Sequence, residues 1–113
     1  IDGTILYHHH SYSSVFSREP SILPGVMDKF DEWDSKGHKI ILVTARKESA
    51  RKLTEKALEK LSIPYDMLIM GVTSGQRVLI NDVVDYSQPL RSRSINVVTN
   101  VGFHETEWSK VNL

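Results

Sequence analysis

The apolar run Lys39-Ile40-Ile41-Leu42-Val43 lies between two helical patterns, and this strand between helices restricts the fold more than any other feature of the chain. Short apolar runs bounded by polar residues are what parallel strands buried on both faces look like. Before the run, Pro24 and Gly25 open a helix in which Leu23, Val26, Met27, Phe30 and Trp33 share a face, and Gly37 is placed to end it. After it, residues 48–61 predict a second helix with Ala50, Leu53, Ala57, Leu58 and Leu61 inward and a lysine/glutamate face outward, closed by Pro64. Glu48 and Lys52 stand at i,i+4 on that outer face, where opposite charges meet. Residues 4–6, 66–70, 77–80 and 95–98 read as further strands, and 7–22, aperiodic and rich in Tyr, His and Ser, as a loop or small flap. Strands alternating with helices imply an α/β domain with a parallel sheet covered by helices.

Composition bears on what such a domain does. With 113 residues, 40% hydrophobic and 25% charged, the chain builds one small core, and neither an internal repeat nor an interdomain linker divides it. Fourteen basic side chains balance fourteen acidic ones, so no general attraction to polyanions is encoded and neither nucleic acid nor an anionic membrane is an expected partner. The absence of cysteine excludes a disulfide framework and a thiolate metal site and fits a reducing compartment. No apolar run reaches about 18 residues and no signal-peptide pattern is present, so a cytoplasmic enzyme is expected.

Polar clusters follow three of the predicted strands or turns: Asp2-Gly3-Thr4, Thr44-Ala45-Arg46 and Asn81-Asp82-Val83-Val84-Asp85. In open α/β sheets, ligands gather outside the carboxyl ends of the strands. The Thr44 hydroxyl there suits either a phosphoryl oxygen, helped by the amides of the next helix, or an ordinary helix cap. A carboxylate in the third cluster suits Mg²⁺, which takes hard oxygen ligands, or a polar turn. Acid, hydroxyl and acid at successive strand ends argue against unrelated turns. The tract His8-His9-His10 resembles a metal tract, but side chains alternate in an extended loop, so at most two reach one ion; a substrate-facing flap or solvent exposure is the other reading. Trp33 is expected in the core and Trp108 in packing rather than on a ligand.

In this order the three clusters resemble motifs one, two and four of the haloacid dehalogenase (HAD) superfamily, and Leu23-Pro24-Gly25 with Gly37-His38-Lys39 resembles the helix that leads into its second motif. The resemblance implies a three-layer α/β/α Rossmann-like core with a parallel sheet and no substantial cap domain. It also implies a Mg²⁺-dependent phosphatase, a phosphoric monoester hydrolase working through an aspartyl phosphate, in which Asp2 moves protons and Thr44 orients the transferring group. Arg77, the only basic residue between Met70 and the fourth motif, takes the place of the neutralising base. Gly3, Thr4, Ala45 and Arg46 then line the substrate, Asp2, Asn81 and Asp82 hold the metal, and Asp85 braces the metal loop. Asn81 departs from the usual aspartate of that motif.

The attacking carboxylate of motif one falls directly before Ile1, and since residues i and i+2 of an extended chain point the same way it would lie beside Asp2. Residues 1–113 are therefore expected to form a single HAD-like domain truncated in its N-terminal strand, inactive without that Asp. A small phosphorylated substrate, such as a sugar phosphate or a nucleotide-sugar pathway compound, follows from the compact layout, and an open site also suits closure by a second copy in a homo-oligomer. Two rivals stand beside this reading. A receiver-type signalling domain gathers similar residues in a different order, and a non-catalytic HAD-fold binding domain would lack the nucleophile.

Overall fold

A computed structural model describes residues 1–9, 19–111 and 113. In chain order the elements are helix α1 (Val26–Ser35), strand β1 (Ile41–Val43), a 3₁₀ turn (Glu48–Ala50), helix α2 (Arg51–Lys60), strand β2 (Met67–Ile69) and a second 3₁₀ turn (Trp108–Lys110). The strands pair in parallel, with Ile41 opposite Met67, Leu42 opposite Leu68 and Val43 opposite Ile69. A parallel pair needs a crossover, and α2 supplies it. The chain is thus a mixed α/β fold.

Each helix forms where the apolar spacing predicted one. Val26 and Phe30, one turn apart, are buried on α1, and Thr54 and Leu58 do the same on α2. Past α1 the amides of Gly37 and His38 return to the carbonyls of Asp34 and Trp33, closing the helix at the predicted glycine. On the outer face Glu48 pairs with Arg51 at 2.7 Å rather than with Lys52, and Arg51 reaches on to Glu55 at 3.2 Å. Arginine's fork serves two carboxylates where a lysine ammonium serves as a single point.

The strands depart from expectation in one respect: Leu42 and Leu68 are buried, whereas Ile41, Val43, Met67 and Ile69 are exposed. One face of the pair is covered, by a core that joins Leu42 and Leu68 to Val26, Phe30, Leu58, Ile5, Leu6 and Phe103. Phe30, Trp33, Phe103 and Trp108 pack as one aromatic group with centroids 5.4–6.3 Å apart, and the Trp108 indole donates to the Phe103 carbonyl at 2.8 Å. Both tryptophans pack, as expected.

Three expected strands are absent among the described residues. Residues 4–6 lie in a turn, where the Ile1 carbonyl accepts the amides of Thr4, Ile5 and Leu6 and Leu6 bridges Ile22. Residues 77–80 and 95–98 have no ladder, and Val78, Leu79 and Ile80 are 75%, 71% and 89% exposed. An apolar run becomes a strand only when a neighbouring segment takes its amides and carbonyls in a ladder, and residues 77–80 and 95–98 have no such neighbour among the described residues. Of the histidine tract, His9 packs edge-on against Tyr7 at 4.8 Å, and His10 lies outside the described residues. No helix among the described residues is long and apolar enough to cross a membrane.

Candidate functional site

The site is built around the end of β1. Thr44 extends the ladder by one residue, its amide donating to the Ile69 carbonyl at 3.0 Å and its carbonyl accepting from Val72 at 3.1 Å. The Arg46 carbonyl accepts from Gly71 at 2.7 Å, so the loop after β1 is held against the loop after β2. Within it the Thr44 hydroxyl accepts the Arg46 amide at 3.1 Å, the local turn that threonine favours after a strand.

That turn carries the Arg46 side chain to the other elements of the site. Its Nε donates to Asp2 Oδ2 at 2.8 Å, its Nη2 to Asp2 Oδ1 at 2.7 Å and its Nη1 to Thr54 Oγ1 at 2.9 Å. Thr54, wholly buried on α2, passes its own proton to the Ala50 carbonyl at 2.8 Å. The two parallel bonds to Asp2 are the fork-to-carboxylate geometry in which guanidinium binds most strongly. Asp2, Thr44 and Arg46, drawn from two loops distant in sequence, thus meet at the carboxyl end of β1.

Asp2 responds to this surrounding. Burial pushes its carboxyl up, but the Arg46 hydrogen bonds and charge outweigh burial and hold it below the ordinary carboxylate value. A carboxyl lowered on folding contributes stability above its unfolded pKa of about 3.9, and that contribution is lost as pH falls through the lower folded value. Asp2→Asn is therefore expected to flatten the loss of stability below about pH 4, read from urea unfolding at several pH values. Of the other lowered carboxyls, Glu19, Glu32 and Glu48 face lysine or arginine near the surface, where salt near 0.5 M, roughly, weakens the pairing, and Asp85 is lowered by Ser87 hydrogen bonds that both chains share, so the difference between the chains is the Asp2 part. An acid limb identical in the variant at high salt would refute the assignment.

The turn of Asp2-Gly3-Thr4 is covered from the other end of the chain. The Asn100 amide donates to the Gly3 carbonyl at 2.8 Å, while the Asn100 side chain accepts from the His8 amide at 2.7 Å and donates to the His8 carbonyl at 2.9 Å. Gly3 has φ 83°, and a Cβ there would stand 2.8 Å from the Thr99 methyl. Sequence reasoning did not single out Asn100. The available signal was a polar Asn before Val101-Gly102, which marks a turn but not its partner.

The remaining predicted residues divide. Gly3 is buried, Ala45 half-buried and Thr4 exposed beside this centre. Arg77 is exposed and donates to the Gly75 carbonyl at 2.8 Å. Asn81 and Asp82 are exposed, Asp82 pairs with Arg91 at 2.7 Å, and Asp85 receives the Ser87 amide at 2.9 Å. Both oxygens of Asp2 are taken by Arg46, and no group of three or more His, Cys, Asp or Glu among the described residues is placed to hold a metal ion. As placed, Asp2, Asn81 and Asp82 do not fit Mg²⁺.

Compared with models of protein families, with curated proteins and with solved structures, the chain matches none, and the reading of the site rests on its own geometry.

Proposed function

We propose that the chain is the core of a HAD-like phosphatase, a phosphoric monoester hydrolase acting on a small phosphorylated substrate through an aspartyl phosphate. The observation that supports this is that Arg46, whose backbone amide donates to the Thr44 hydroxyl at the end of β1, reaches with its guanidinium to both oxygens of Asp2. A carboxylate to move protons, a hydroxyl to orient an equatorial oxygen and a guanidinium to balance charge are what phosphoryl transfer asks of a protein. In this reading the two-stranded sheet belongs to a three-layer α/β/α core that a strand ending in an attacking Asp before Ile1 extends. Arg77 takes the part of the cation that neutralises the nucleophile and the phosphate. Mg²⁺ remains part of the proposal on donor type alone, since Asp2, Asn81 and Asp82 offer only oxygens; no step is derived through it.

One observation favours a second reading. With both Asp2 oxygens held by Arg46, the site as placed suits binding rather than proton transfer, as a non-catalytic HAD-fold domain would. Hydrolysis of an aryl phosphate separates the two, using the chain joined at Ile1 to an apolar strand ending in Asp. Turnover is expected for the phosphatase. A folded, extended chain without turnover would establish the binding domain instead.

A further inference from the structure

The Arg46–Asp2 pair has an order from solvent inward. The Asp2 side chain is 23% exposed and that of Arg46 9%, so the carboxylate is the partner nearer solvent. Arg46 is anchored behind by Thr54, itself bonded to Ala50, and cannot follow Asp2 outward without breaking that bond. Asp2 sits on a turn, and rotation of its side chain alone vacates the fork. The Thr44 hydroxyl accepts from the backbone amide of Arg46 and keeps its own proton to donate. A guanidinium with two parallel donors, once uncovered, fits a tetrahedral oxyanion as well as a carboxylate.

We propose that Asp2 is an intramolecular competitor for this site: its carboxylate occupies the Arg46 fork that a phosphate dianion, free or as the head of a monoester, takes on binding. The inference rests on the phosphoryl-transfer reading and adds a regulation to it. An oxyanion enters only as Asp2 swings away, so occupancy of the site and release of the Asp2 carboxylate are one event. The carboxylate is then free beside the bound phosphoryl group, and an empty site keeps it locked.

Inorganic phosphate titrated into the full chain tests this, followed by calorimetry and by the ¹⁵N shift of the Arg46 Nε. Asp2→Asn is expected to tighten phosphate by about tenfold, the scale of a charge-assisted hydrogen-bond pair. The same change in an Arg46→Gln background is expected to alter affinity less than about threefold, because the competition runs through the guanidinium. An equal gain in both backgrounds would reduce the effect to through-space charge and overturn the proposal, as would unchanged or weaker binding by Asp2→Asn. Should Asp2→Asn fail to fold, the unmutated chain decides: phosphate must move the Arg46 Nε resonance, and binding without that shift overturns the competition while leaving an anion site. Absence of phosphate binding in every folded variant overturns both the competition and the reading beneath it.

Discussion

An Asn in place of the Asp directly before Ile1, in the chain extended by an apolar strand, is expected to lower aryl phosphate turnover by about a thousandfold or more while the extended chain still folds. The side chain at that position and that of Asp2 lie on one side of an extended backbone, so the first attacks phosphorus while the second moves the proton. Asn keeps the shape and hydrogen-bonding size of Asp but cannot form the acyl phosphate, which confines the loss to chemistry. Circular dichroism and the urea midpoint should therefore be shared by the Asp and Asn chains. Equal turnover by the two would sink the covalent mechanism. Unequal folding would mean that the residue acts on the sheet before it acts on substrate. The curl of residues 1–6, in which one carbonyl collects the amides of Thr4, Ile5 and Leu6, must open for the extended strand to form.

Gly102→Ala is expected to destabilise the chain by about 3 kcal/mol, combining a left-handed backbone with overpacking against main-chain atoms. Gly102 has φ 91°, and a Cβ there would overlap the Pro24 carbonyl oxygen and stand 3.0 Å from the Pro24 nitrogen. The obstacle is backbone and cannot rotate aside. The neighbouring amide, Phe103, donates to that same Pro24 carbonyl at 2.8 Å, so displacement would also pull Phe103 from the aromatic group it shares with Phe30, Trp33 and Trp108. A thermal melt followed by tryptophan fluorescence should fall by roughly 10–20 °C. Gly37→Ala is the control, since Gly37 has φ 78° but nothing within 4 Å of an added Cβ; it should lose only about 1 kcal/mol. Equal melting of the two variants would show that the clash at Pro24 is absent.

What was legible in the sequence is what repeats locally. Val26 and Phe30 on α1 and Leu58 on α2 lie on the expected inward faces, and a helix follows wherever such a stripe has a core to meet, whereas the burial of Thr54 was not among the expectations. The run ending at Val43, with Thr44 behind it, marked β1 and the site at its carboxyl end for the same reason. The same local signal over residues 77–80 and 95–98 did not suffice, because a strand is a property of two segments and these have no ladder among the described residues. The site's internal geometry belongs wholly to this second kind. Arg46 meets Asp2 across 44 residues and Asn100 meets His8 across 92, and no periodicity records which distant carboxylate or peptide a polar side chain will bond. The sequence by itself determined which residues carry charge, hydroxyl and apolar surface, and the positions of the two helices and of the two strands that pair. Only the tertiary structure decided that Arg46 turns inward to Asp2 and Thr54 while Asp82 turns outward to Arg91, because a buried charge must find its partner within the fold whereas an exposed one is satisfied by water.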